Sequence, residues 1–137
     1  GDPFHEDIVA KWIEKLNRLE IEIFALSDTV GVSEPKIIDR LFSTLIPEYP
    51  ELEIGAHLHT NPDTWEEKIE AAAKAGCKRF DGAIKGYGGC PMAADELTGN
   101  MATENLISYF DAKNLVINKV ELQNSLFLAD TIFTKYH

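Results

Sequence analysis

Apolar residues recur along this chain in two rhythms, one near 3.6 residues and one compressed into short apolar runs. Ile8, Trp12, Leu16 and Leu19 return at near-helical spacing with charges between them, which predicts an amphipathic helix over 6–19. Ile21-Glu22-Ile23-Phe24-Ala25-Leu26 is short and apolar, and Ser27-Asp28-Thr29-Val30-Gly31 ends it; this predicts a buried strand and then a loop. Ser33 is placed to cap a helix with Pro35 in its first turn, and Ile37, Ile38, Leu41, Phe42, Leu45 and Ile46 form its stripe until Pro47 and Pro50 stop it. A second strand is predicted from Leu52 to His59. A helix opened by Asn61-Pro62 follows, through Trp65, Ile69, Ala72 and Ala73 to Gly76. A third strand is predicted over Lys78 to Ile84, ahead of a glycine-rich loop. Thr103-Glu104 opens a helix near Asn105–Ala112, and a last helix from Lys119 carries Leu122, Leu126, Ala129, Phe133 and Tyr136 on its buried side. Trp12 and Trp65 sit on helical stripes and are expected in the core.

The order is α-β-α-β-α-β-loop-α-α, with crossovers long enough to require parallel pairing. The βα period of about 30 residues suits a small doubly wound sheet or part of a (β/α)8 TIM barrel. A three-stranded doubly wound sheet would be thin. Polar clusters at the C-terminal ends of the strands (Asp28, then His57 and His59, then the loop from Gly86 to Asn100) favour the barrel. A whole barrel takes eight strands and about 250 residues. The expectation is therefore one partial TIM-barrel domain over 1–137, the C-terminal part, with about three parallel strands and flanking helices.

Composition narrows the partners. The chain has 137 residues, 45% hydrophobic and 26% charged, as in an ordinary globular protein, and no apolar segment approaches the roughly 20 residues that span a bilayer. A net charge of −10 and a pI near 4.8 argue against nucleic acid and anionic membranes, and require that an anionic substrate meet local cations or a metal. Two cysteines, Cys77 and Cys90, suit a reducing compartment better than a disulfide scaffold. The start, Gly1-Asp2-Pro3-Phe4-His5, lacks the basic and apolar regions of a secretory leader, so a cytoplasmic setting is expected.

Three constellations carry candidate chemistry. His57 and His59 stand two apart on a strand, so both imidazoles leave one face and make half of a divalent-metal site; a hydrogen-bonded pair without metal is the alternative. Asn100 and Asp28 are candidates for further oxygen ligands. Cys90 lies in Gly86-Tyr87-Gly88-Gly89-Cys90-Pro91, where glycines allow close backbone approach and the thiol stands outside any apolar run. Cys77, beside Gly76 and ahead of a strand, reads as a small buried hydrophobe. Asp28 is placed to relay a proton or to make an Asx-type turn. Asp81 reads as a hydrogen-bonding residue of a barrel interior, and Lys85 as a phosphate contact or, more simply, solvated surface.

Together these residues resemble the 3-hydroxy-3-methylglutaryl-CoA lyase family of metal-dependent TIM-barrel lyases. The similarity runs through Leu26-Ser27-Asp28-Thr29-Val30-Gly31-Val32, Ala56-His57-Leu58-His59, the Cys90 loop and Gly99-Asn100-Met101-Ala102-Thr103-Glu104-Asn105-Leu106. The resemblance implies His57, His59 and Asn100 as ligands of a divalent cation, Mg2+ or Mn2+, and Cys90, His59 and Asp28 as catalytic groups. It implies an acyl-CoA substrate and a reverse Claisen cleavage to acetoacetate and acetyl-CoA, with Cys90 protonating the acetyl-CoA enolate. Related condensing enzymes share the His-x-His strand but carry an acidic-arginine loop in place of Gly-Gly-Cys-Pro; a non-catalytic α/β binding module is the other alternative. The chain departs from the family at Thr60-Asn61-Pro62, where an aspartate-threonine-tyrosine-glycine run is usual. It also has no match to the family's first-strand arginine and aspartate. This chain alone is therefore expected to be inactive, and its two open strand edges and uncovered face to drive self-association, as in a homodimer, or to leave residues 86–100 partly disordered.

Overall fold

In the computed structural model, which describes residues 5–89, 98–111 and 117–133, the two rhythms become layers. Helix α1 (Glu6–Asn17) leads to β1 (Ile23–Asp28), α2 (Pro35–Glu48), β2 (Glu53–Thr60) and α3 (Trp65–Lys74). A single 3-10 turn (Ile84–Gly86), β3 (Gly99–Asn100), α4 (Thr103–Asp111) and α5 (Lys119–Phe133) follow. β1 and β2 run parallel, with Ile23 opposite Glu53 and Asp28 opposite Leu58. The arrangement is α/β, consistent with part of a (β/α) barrel.

Strand alternation divides the sheet into two unlike faces. Phe24, Ile54, Ala56 and Leu58 point toward the helices and meet Ile13, Ile38, Phe42, Leu45, Ile69 and Ala72 in one core. Phe42, Leu45 and Ile69 are essentially solvent-free, and burying each such side chain contributes about 1.5–3 kcal/mol. The opposite face carries Ile23, Ala25 and Ser27 on β1 and Gly55, His57 and His59 on β2.

The expected third parallel strand over 78–84 is not formed. Phe80 makes an isolated parallel bridge to Ala56, through Ala56 N–H to Arg79 O and Asp81 N–H to Ala56 O, both 2.9 Å. Beyond that point β3 takes the free edge of β2, antiparallel, with Asn100 opposite His59 and Gly99 opposite Thr60. Met101 N–H donates to Leu58 O, and Ala83 is displaced outward to bridge Ala102. The returning segment thus wedges between β2 and the strand that pattern alone predicts, and three parallel strands become a mixed set.

Smaller departures have similar causes. β1 is not buried on both faces: Ile23 is 59% exposed, because nothing among the described residues covers its side of the sheet. α1 turns Val9, Ala10, Ile13 and Leu16 inward, a rotation that leaves Trp12 55% exposed beneath the Lys15 ammonium rather than in the core. Trp65 does pack against the core. α2 begins after Glu34 with Pro35 in its first turn and continues through Pro47 to Glu48; Ser33 does not cap it, and its N–H donates to Asp28 instead. Asn61 forms an Asx turn to Asp63 and Thr64 N–H, so α3 starts only at Trp65. On α5, Ala129 is buried while Phe133 is exposed; Tyr136 lies outside the described residues.

Candidate functional site

The helix-averted face of the sheet carries a continuous row of polar side chains. At its lower end Arg79 Nε lies 3.4 Å from Glu53 Oε1, and Arg79 Nη2 lies 3.4 Å from Asp81 Oδ1. Gly55 makes the crossing possible, since a Cβ there would meet Arg79 Cγ at 3.0 Å. Asp81 Oδ2 then approaches His57 Nδ1 at 3.4 Å, and the His57 and His59 rings follow with centroids 5.5 Å apart. Asn100 closes the row as the cross-strand partner of His59. Residues directly opposite in an antiparallel pair project to the same side, so His57, His59 and Asn100 are brought to one face.

His57 is half-exposed and His59 buried, and His59 Nδ1 is a buried nitrogen with no hydrogen-bond partner. A buried polar atom of that kind calls for an explanation, and a ligand is one of the recognised ones. Asn100 donates from Nδ2 to Tyr87 O at 2.8 Å and also to Gly88 O. The amide nitrogen is thus spent on the backbone, and any coordinating role would fall to Oδ1. The same contacts fasten both ends of the glycine loop beside Asn100. Gly86, at φ +67°, leaves room for Asn100 O, which a Cβ would meet at 2.8 Å; a Cβ on Gly89 would meet Thr98 O at 3.0 Å. Cys90 itself lies outside the described residues.

Asp28 is placed differently. It lies opposite Leu58, on the helix side of the sheet, and is buried. Its Oδ1 accepts from Val32 N–H, and its Oδ2 accepts from Ser33 N–H and, at 2.8 Å, from Lys68 Nζ. Both oxygens are engaged, and the structure does not bring the carboxylate to the face of the histidines.

Among the described residues no three His, Cys, Asp or Glu side chains converge as they would around a metal ion. Two imidazoles and a carboxamide are neutral donors of a kind that divalent first-row cations accept, but they are at most half of an octahedral shell. The residues present fit a divalent cation in part, and further oxygen ligands would have to come from beyond them.

Two participants escape the sequence reading. Lys68 is 3% exposed and sits on the α3 stripe with Trp65, Ile69 and Ala72, at spacings of three, four and seven; that spacing was the available signal. Arg79 alternates with Asp81, as two residues sharing one face of an extended segment do. Lys85 stays exposed, as a surface lysine would, and its ammonium pairs with Asp130 of α5, whose carboxylate also accepts from Tyr87 Oη at 3.3 Å. Cys77 is buried as expected. It donates to Arg79 O at 3.1 Å, and burial pushes its thiol up to about 11.

Fold and site together are those of an α/β protein, consistent with part of a (β/α) barrel, with a histidine pair at the C-terminal end of a strand. The chain belongs to the HMGL-like family, whose sequence model matches residues 4–132. It is 30% identical over 139 residues to hydroxymethylglutaryl-CoA lyase YngG of Bacillus subtilis, covering 98% of this chain and 46% of that protein. The crystal structure of the Bacillus subtilis HMG-CoA lyase superposes with a TM-score of 0.82 at 28% identity, over 98% of this chain and 44% of that one. An HMG-CoA lyase from Acinetobacter baumannii, solved with coenzyme A and 3-methylmalate, superposes with a TM-score of 0.74 at 30% identity, over 87% and 39%. The chain therefore spans less than half the length of these relatives.

Proposed function

We propose that this chain is the C-terminal part of a lyase barrel that cleaves 3-hydroxy-3-methylglutaryl-CoA to acetoacetate and acetyl-CoA, and that it contributes one wall of the active site. The observation that carries the reading is the pairing of His59 with Asn100, which puts two imidazoles and a carboxamide on one face beside the anchored ends of the Cys90 loop. The coenzyme A bound by the Acinetobacter baumannii relative supports an acyl-CoA substrate.

His57, His59 and, through Oδ1, Asn100 would hold Mg2+ or Mn2+. Bound there, the cation would supply Lewis-acid polarisation of the substrate's oxygens. A base takes the proton of the 3-hydroxyl, the C2–C3 bond breaks, and its electron pair passes into the thioester to give the enolate of acetyl-CoA. The Cys90 thiol delivers its proton to C2 and recovers one from the base. Of the two groups expected to move the first proton, His59 stands on the ligand face, whereas Asp28 is occupied by Lys68 and two backbone N–H groups. Asp28 acts in this reading as a support.

The test is acetoacetate release from 3-hydroxy-3-methylglutaryl-CoA with Mg2+ or Mn2+, assayed on this chain alone and on a barrel completed with the remaining strands. Turnover by the completed barrel, abolished by Cys90→Ser, is expected, with none from the chain alone. A completed barrel that instead condenses acetyl-CoA with a 2-oxo acid would sink the lyase assignment.

The setting is proposed to be cytoplasmic. Self-association is proposed through the open face of β1, where Ile23 is exposed, and through Val120, Phe127 and Leu128 of α5. A monodisperse monomer in sedimentation velocity would count against this.

A further inference from the structure

The β1–β2 ladder ends where β1 turns away at Asp28, with Gly31 at φ +71° in the turn. Along β2, Ala56 and Leu58 direct their carbonyls toward the Asp81 and Met101 side of the sheet. By strand alternation the carbonyl of His59 points the other way, toward the place where β1 has already stopped. Among the described residues no strand N–H is left to meet it. Lys68 Nζ fills that position at 3.0 Å from His59 O, and the same ammonium donates to Gly31 O at 2.9 Å and to Asp28 Oδ2 at 2.8 Å. An ammonium has three N–H donors, and here each has an acceptor, from β1, the β1–α2 turn and β2.

We propose that Lys68 is a positioning residue for His59. It substitutes for the missing strand and fixes the peptide plane from which the imidazole projects. The proposal rests on the reading of His59 as a ligand, and it explains why a lysine on the buried stripe of α3 is kept out of water. An ion pair that only joined α3 to β1 would need Asp28 alone; the bonds to Gly31 O and His59 O tie the same charge to the rim of the site. Lys68 acts through the backbone of His59 and does not touch the ligand face itself.

The experiment compares the 137-residue chain with Lys68→Met and with the charge-balanced Asp28→Asn/Lys68→Met, which leaves no lone buried charge. Leu45→Ala serves as a control that opens a cavity in the helix layer. Imidazole NMR signals of His59 are read without metal, and Mn2+ affinity by water-proton relaxation. In the folded lysine variants the His59 ring signals should shift and broaden while those of His5 stay fixed. Mn2+ affinity should fall about 10–100-fold, the loss expected when a group orienting a ligand is removed. Leu45→Ala should change neither. A folded double variant whose His59 signals match the parent's would overturn the proposal. So would loss of fold in both lysine variants, since the ammonium would then serve the packing as a whole. A parent chain that binds no Mn2+ would remove the metal reading, and the imidazole signals would still decide the role of Lys68.

Discussion

Asp81 Oδ2 lies 3.4 Å from His57 Nδ1, and Arg79 holds the other oxygen of the same carboxylate at 3.4 Å. A carboxylate so placed would orient the His57 ring and, were a cation bound as proposed, leave the far nitrogen to it. Replacing Asp81 with Ala should weaken Mn2+ binding about 10–100-fold. Asp81 is partly exposed, so urea unfolding should change little. Unaltered Mn2+ relaxation titrations in the variant would show that His57 needs no such orientation.

Gly86 and Gly99 touch through their backbones: a Cβ on Gly99 would meet Gly86 O at 2.7 Å, and one on Gly86 would meet Asn100 O at 2.8 Å. Gly86→Ala should therefore push Asn100 away from His59 and add the cost of a left-handed alanine, about 1–2 kcal/mol. The urea midpoint should fall and Mn2+ affinity should fall with it. A stable variant of parental affinity would separate the loop root from the ligand row.

The loop root is also clamped from α5. The Lys85 ammonium, on a residue at φ +55°, pairs with Asp130, and Tyr87 stacks on Phe133 with centroids 4.1 Å apart. The hydrogen bond from Lys85 holds the Asp130 carboxyl below its ordinary 3.8, and the same bond raises Lys85. A depressed carboxylate stabilises above 3.8 and loses that contribution as pH falls through its lowered value. Asp130→Asn should lower the protection of amides 84–88, relative to their intrinsic exchange, at neutral pH, and the parent should lose that protection only in acid. Equal exchange in both proteins at neutral pH would rule out the clamp.

Cys77 offers a check on burial. With its thiol raised from 9.0 to about 11 by desolvation, the folded chain keeps a proton that the unfolded chain releases. The sign follows: this contribution to stability is complete below pH 9 and is lost as pH rises toward 11. Iodoacetamide at pH 8 should leave Cys77 unmodified in the native chain and alkylate it in urea, as read by peptide mass spectrometry. Rapid native alkylation would contradict the packing around Ile54 O and Arg79 O.

Much of the fold was legible because it depends on local periodicity. The helices around Ile38, Phe42 and Leu45, and around Ile69 and Ala72, declare themselves by spacing, and the β2 strand by its apolar run into His57 and His59. Trp12 was misplaced because a helical stripe fixes a period and not which face meets the neighbour; the inward turn of Ile13 is set by what α1 packs upon. The third strand failed for a different reason. Whether 78–84 or 99–101 takes the edge of β2 is a competition between two segments for the same hydrogen bonds, and no local pattern ranks them.

The candidate site divides along the same line. His57 and His59 share a face because strand side chains alternate, so sequence alone determined that pair. Asn100 joined them only through the antiparallel return of β3, and Asp28 was turned to the helix side by its register with Leu58. Lys68 gained its place only where α3 lies against the end of β1, where a buried ammonium could replace the strand that stops there. Sequence determined which residues could act within one element; tertiary structure decided which elements meet, because that choice rests on long-range hydrogen bonds and packing that no short stretch of chain contains.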